Sequence, residues 1–325
     1  MPVSGRDYPR TWDQFHDWFA DEAACRRYLE GIRWRGGFVC PRCGEPGEAF
    51  RGSRGRWICR HCRYQCSVTA GTVFDKTRTS LRSWLAAVWY ITNQKQGVTA
   101  LGLQRVLGLG SYQTAWAMLH RLRRAMIRPG RERLSGVVEV DESVIGRSAP
   151  NKARDTEQKQ QLAKHINALR SIVVIAVELK ESKGFGRIRL RRVADRSENA
   201  VLPFVCESIE PGSIVRTDGS PAYRKLPRHG YRRDKTVMLG ASDLAHVSMP
   251  GVHRVAALLK RWLLGTHQGA VKPKQLDYYL DEFTFRFNRR TSRSRGLLFY
   301  RMLEQALVTE PVTYAQITGK ATHKI

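Results

Sequence analysis

The chain has 325 residues, 42% hydrophobic and 26% charged, with a formal net charge of +27. This length is enough for two or three domains with a substantial core, and the charge favours a polyanionic partner, of which nucleic acid is the commonest. No apolar run approaches the ~18 residues of a membrane helix, so no membrane role is expected.

The opening MPVSGRDYPRTWDQF is not a signal peptide, which predicts a cytoplasmic protein. In a reducing compartment its seven cysteines argue for metal ligands or free thiols over disulfides. There is no internal repeat and no GxxxxGK[ST] loop for a nucleotide.

Residues 1–35 form an N-terminal helical segment. Within it, TWDQFHDWFADEAACRRYLEGIRW at 11–34 reads as one or two short helices, with Thr11 as N-cap and an aromatic stripe for core packing. Residues 36–75 follow with CPRCGEPGEAFRGSRGRWICRHC. Cys40 and Cys43 form one C-x2-C pair and Cys59 and Cys62 another, with 15 residues between them. That is the spacing of a tetrahedral zinc site, and Gly44 eases its first turn. Four thiolates fill the shell of the ion, so this Zn2+ is structural. Cys25, Cys66 and Cys206 read as ordinary thiols, and Arg51, Arg54, Arg56, Arg60 and Arg63 place the ribbon near phosphate.

Residues 76–130 are helical in pattern. No acidic residue occurs from Leu81 to Gly130. SLRSWLAAVWYITN starts on a Ser cap, and VTALGLQRVLG and SYQTAWAMLHRLRRAM meet across the turn LGLG. Two short helices across a glycine turn, the second capped by Ser111, read as a helix-turn-helix for DNA. The second helix ends in Arg121, Arg123 and Arg124, candidate phosphate contacts.

After a linker at 127–136 the period changes from helix to strand. The expected order is a strand GVVEVDES ending in Asp141, a charged run at 147–165, strands RSIVVIAVEL and GRIRLRRV, a helix SENAVLPFVCESI, and a strand GSIVRTDGS ending in Asp218. A short strand RRDKTVM and the helix GVHRVAALLK follow. This order predicts an α/β chain with a ribonuclease-H-like catalytic domain at 131–310, preceded by the four-cysteine zinc ribbon and the helix-turn-helix. A tail at 311–325 ends it. His253 and Lys260 are seven residues apart, so they share one helix face. In QLDYYLDEFTFRFNRRTSRSR the exit is basic, and Asn288, Arg289, Arg290, Arg293 and Arg295 are candidate DNA-backbone contacts.

The stretches CPRC…CRHC, SVTAGTVFDKT, LQRVLGLGSYQTAWAMLHRLR, VEVDESVIG, VRTDGSPAY, HRVAALLKRWLLGTH and YLDEFTFRFNRR together resemble the zinc-ribbon DDE transposases of bacterial insertion sequences, the ISXO-type branch. The resemblance implies an enzyme that binds terminal inverted repeats in double-stranded DNA, cuts the backbone and transfers the 3′-OH ends to target DNA. It implies Asp141 and Asp218 as the first two catalytic acids and ligands of Mg2+ or Mn2+. His253 stands where the family usually has a carboxylate, followed seven residues later by Lys260. By this likeness His253 ligates or orients a divalent ion and Lys260 holds a phosphate. Two ions bridged by carboxylates would serve the attacking and leaving oxygens. Glu142, which the strand pleat points away from Asp141, and the remoter Asp243 and Glu282 are the other candidates for the third acid. A homodimer or higher oligomer on DNA is expected. The alternative is a zinc-ribbon regulator with an inactive nuclease-like domain; a stand-alone nuclease of the same fold is a second rival.

Overall fold

In a computed structural model of the protein, residues 2–128, 130–146, 170–180, 184–236, 249–269 and 271–319 are described. The charged run at 147–165 and Asp243 lie outside them. The chain divides into two units, Met1–Pro129 with Ser292–Ile325, and Gly130–Thr291.

The first unit opens with α1 (Trp12–Trp18) and α2 (Glu22–Arg33). Thr11 and Asp21 start these helices, each accepting a hydrogen bond from the amide three residues on, at 3.2 and 2.7 Å. Such a side chain satisfies one of the orphan amides at a helix start. Three short strands follow, β1 (Ala49–Arg51), β2 (Trp57–Cys59) and β3 (Gln65–Cys66), paired antiparallel in that order.

Helices α3 (Leu81–Asn93), α4 (Ala100–Leu107) and α5 (Tyr112–Arg124) come next. Ser80 caps α3 through the amide of Ser83 at 3.1 Å, and Thr99 caps α4 through Gly102 at 3.0 Å. Ser111 stands at the N-cap of α5, yet its hydroxyl donates to Gln113 Oε1 at 2.8 Å instead of receiving an amide.

Two C-terminal helices, α9 (Arg295–Ala306) and α10 (Tyr314–Thr318), complete this unit. The catalytic segment was expected to run to residue 310, but the second unit ends at Thr291. The reason is apolar. Phe299, Met302 and Leu303 are fully buried, and α9 packs on α2 and α3.

The second unit is built on a five-stranded sheet. Its strands are β4 (Val137–Ile145), β5 (Ser171–Leu179), β6 (Phe185–Val193), β7 (Ile214–Thr217) and β8 (Arg232–Lys235). The order across the sheet is β6-β5-β4-β7-β8. β4, β5 and β6 are antiparallel neighbours, whereas β4–β7 and β7–β8 are parallel. Helix α6 (Glu198–Ser208) covers one face, and α7 (Pro250–His267) and α8 (Leu276–Asn288) the other.

This explains why β5 is apolar nearly throughout, as a strand buried on both faces must be. Val173, Ile175 and Val177 join the α7–α8 core, and Val174 and Ala176 join the α6 core. No helix among the described residues is long and apolar enough to cross a membrane.

Candidate active site

The cysteine pairs come together as their spacing requires. The sulfurs of Cys40, Cys43, Cys59 and Cys62 all lie within 4.8 Å of one another, with Cys40–Cys62 at 3.6 Å and Cys43–Cys59 at 3.8 Å. Gly44 has φ 74°, a left-handed conformation that closes the first knuckle and that other residues adopt at a cost. Burial raises the Cys40 thiol, but the amides of Cys43 and Arg42 outweigh it and bring the thiol down to about 7. A thiol that ionises near neutrality is poised to bind metal. Burial instead pushes Cys66 up to about 11, so it stays a packed thiol behind the quartet. The four sulfurs therefore suit one Zn2+.

On the sheet, β4 carries Asp141. The strand was expected to end there, but it continues to Ile145, so Asp141 is a mid-strand residue. Parallel pairing sets Glu139 opposite Arg216. Asp141 lies two residues beyond that pair on β4, and Asp218 two residues beyond it on the other strand, just past the end of β7. Burial raises the pKa of Asp141, the adjacent Glu142 amide lowers it, and the charge of Asp218 raises it further. His253 and Arg196 act in the opposite direction. A buried carboxylate with a second one nearby is a setting that a bound cation would stabilise.

Asp218 is held in place locally. Its Oδ1 accepts the amide of Ser220 at 2.9 Å, forming a tight turn. Arg233 on β8 donates to the carbonyls of Asp218 and Ser220 at 3.0 and 3.1 Å, and to the Thr217 hydroxyl at 3.1 Å. Glu142 points to the other face, as the pleat demands. There it accepts a hydrogen bond from the buried Tyr223 hydroxyl, and burial raises its pKa.

Helix α7 lies over the Asp141 face. Val255 and Leu259 are fully buried in the core, with Ala256 and Leu258 packed beside them. His253 is half-buried, within electrostatic reach of Asp141 and Glu139. Among the described residues, only the cysteine quartet forms a group of three or more metal-competent side chains within 4.8 Å, so Asp141, Asp218 and His253 are not drawn that tightly together. Lys260 is exposed and lines a hollow of about 290 Å³ with Ile145, Ser171 and Leu263, at the far end of β4. Glu282 is 1% exposed and paired with Arg286 at 2.7 Å, which makes it a core ion pair and not a free third acid.

The basic candidates divide by burial. Arg124 is exposed, as a phosphate contact requires. Arg123 is only 2% exposed and offers no surface to DNA in this arrangement; it follows buried Leu119 by one helical turn and so faces inward. Arg121 is half-buried and donates to the Val312 carbonyl at 3.1 Å. Arg290 donates to the carbonyls of Phe185, Gly186 and Phe287, and Asn288 pairs with both the amide and the carbonyl of Ile188, at 2.7 and 3.2 Å. These two residues therefore cover the open edge of β6, a structural task. Arg289 stacks over the Phe285 ring at 4.2 Å.

Four residues here were not singled out from the sequence: Glu139, Arg196, Tyr223 and Arg233. Only Glu139 had a local signal, an acid in a run of apolar strand positions.

Residues 133–288 match the family described as the ISXO2-like transposase domain, and residues 20–65 match the transposase zinc-ribbon domain. The chain thus carries an ISXO2-like transposase domain behind a transposase zinc ribbon. A curated relative, described as an uncharacterized protein in transposable element ISH50 of Halobacterium salinarum, is 26% identical over 276 residues, which cover 82% of this chain and 91% of the relative. A chain in a solved simian T-cell lymphotropic virus intasome, in complex with the PP2A regulatory subunit B56 gamma, aligns at 12% identity with a TM-score of 0.29. That alignment spans 56% of this chain and 63% of the other, under two thirds of its length.

Proposed function

We propose that this protein is a DNA transposase that binds the terminal inverted repeats of its element, cleaves the backbone and transfers the 3′-OH ends to target DNA. The observation that carries the reading is the parallel pairing of β4 and β7, beyond which Asp141 lies within electrostatic reach of both Asp218 and His253. Three antiparallel strands joined through β4 to two parallel ones support a ribonuclease-H-like domain. The α4–α5 pair supports a helix-turn-helix, and the charge of +27 supports DNA as its ligand.

Asp141, Asp218 and His253 are the residues that would hold the divalent ions. Two carboxylates and an imidazole suit Mn2+ and, through the oxygens, Mg2+. Bound there, such ions supply a Lewis acid for the phosphodiester and charge for the leaving oxygen.

The protein's own part is placement. A strand fixes Asp141, while the Ser220 turn and the Arg233 clamp fix Asp218. Tyr223 engages Glu142 on the opposite face. Arg196 at the rim and Lys260 farther along supply cations for phosphates, with Arg124 on the helical unit. The protein works on DNA in the cytoplasm, at the nucleoid, as a homodimer or higher oligomer that brings two element ends together.

The test is strand transfer with element-end DNA. Asp141→Ala and Asp218→Ala should each lower it by more than a hundredfold, on the order of 3 kcal/mol of barrier, and leave DNA affinity within about twofold. Full activity in either variant would refute the assignment.

A further inference from the structure

We propose that Glu139 is a positioning residue that seats the N-terminus of α7 on the active-site strand and thereby aims His253 at Asp141. This inference rests on the reading of Asp141, Asp218 and His253 as one site. The observations begin at the helix start. Met249 gives α7 no side-chain cap, and there is no acid in its first turn. The first amides of a helix need partners from elsewhere. Glu139 provides them from β4. Its Oε2 accepts the amide of Val252 at 3.0 Å, and the amide of Gly251 also bonds to the carboxylate.

Gly251 makes this approach possible. A Cβ at that position would stand 2.7 Å from Glu139 Oε2 and 3.3 Å from Leu179 Cδ2. The close contact between strand and helix therefore requires a residue without a side chain.

Glu139 is 0% exposed, and its Oε1 has no hydrogen-bond partner among the described residues. Burying a carboxylate that is only half satisfied is costly. A valine at this position would join the apolar core at no such cost, so stability alone does not account for a glutamate. What the carboxylate adds is direction. Apolar contacts through Val255 and Leu259 resist separation but tolerate sliding and rolling. Hydrogen bonds to two successive amides fix both the height and the rotation of the helix on β4. His253 follows Val252 directly, and Glu139 precedes Asp141 by two residues on the same strand face. One connection thus sets where the histidine stands relative to the aspartate. The partial positive charge of the helix start offsets the carboxylate.

The experiment uses the full-length, zinc-loaded protein. Mn2+ affinity is read from the electron paramagnetic resonance of free Mn2+, alongside thermal unfolding and affinity for duplex DNA. Glu139→Ala should weaken Mn2+ binding about tenfold, about 1.4 kcal/mol, with DNA affinity unchanged. Glu139→Gln keeps an acceptor oxygen for the two amides and should stay within about threefold of the wild type. Gly251→Ala keeps Glu139 but forces its carboxylate off the amides, and should follow Glu139→Ala. Should Glu139→Ala fail to fold, the other two variants decide. Wild-type Mn2+ affinity in Gly251→Ala, or equal losses in Glu139→Gln and Glu139→Ala, would overturn the positioning role. Asp141→Ala is the control for the underlying reading. If it keeps wild-type Mn2+ affinity, the site assignment itself fails, whatever Glu139 does.

Discussion

Phe15 and Phe299, from opposite ends of the chain, meet edge to face with ring centroids 6.0 Å apart. Phe299 also lies 5.4 Å from Trp89 and 6.3 Å from Tyr28, so one C-terminal ring joins three N-terminal helices. It is fully buried. The zinc-ribbon unit is therefore closed by the last helices of the chain.

Phe299→Ala should destabilise that unit by about 3–5 kcal/mol, the usual cost of deleting a buried ring. Denaturant unfolding followed by tryptophan fluorescence measures it. A fragment ending at residue 129 should likewise be unstable and bind element-end DNA poorly, whereas the full chain binds with a steep salt dependence. A loss under about 1 kcal/mol in Phe299→Ala would contradict the packing described here.

Much of the zinc-binding region was legible in the sequence because its chemistry is local. Two C-x2-C pairs announce their ligand whatever surrounds them. The strand-to-helix order was legible too, since β5 and α7 differ in period. Three features were not. The segment RGLLFYRMLEQAL is plainly a helix, but nothing within it says which core it joins. Arg123 looks like one of a basic cluster, and only the buried Leu119 one turn earlier hints that it faces inward. The polar pair Glu142–Ser143 looked like the end of a strand. In the structure Glu142 is held by Tyr223, a partner that only the fold brings near.

The cysteine quartet should bind one equivalent of zinc. Cys59→Ala should lower the zinc content to well below half an equivalent and loosen the first unit, because metal binding there is coupled to folding. Metal analysis and circular dichroism report the two effects. Cys66→Ala, by contrast, should retain its zinc, since burial keeps that thiol protonated until about 11.

Glu178 gives the second unit an acid-sensitive clamp. Burial raises its pKa, but hydrogen bonds from Arg187, and from the amides of Arg187 and Ser135, outweigh this and hold it below its ordinary 4.5. The carboxylate is more acidic folded than unfolded. Its contribution is therefore fully present above about pH 4.5 and is lost as the pH falls through the lower, folded value. Glu178→Gln should flatten the acid limb of the stability curve and leave its slope above pH 6 unchanged. An unaltered acid limb would remove the clamp from the account.

His253 should set the metal preference. Imidazole suits Mn2+ better than Mg2+ and brings no negative charge. Strand transfer should thus be faster with Mn2+ in the wild type, and His253→Glu should shift the preference toward Mg2+. His253→Ala should lower activity with both ions. Lys260→Ala should instead raise the DNA concentration needed for half-maximal rate, because an exposed lysine meets phosphate as a point charge. Wild-type rates in His253→Ala with both ions would reduce the histidine to a helix-surface residue.

The division of the chain at Pro129 and Ser292 also bears on the order of events at the ribosome. Every residue of the sheet unit has been translated before Phe299 is added. At roughly 5–20 residues per second, the sheet has seconds in which to form while the helical unit still lacks its closing helix. The nascent protein therefore finishes its aspartate-bearing half first. Loss of the residues after Ser292 would leave the sheet unit whole and the helical unit without its closing helix.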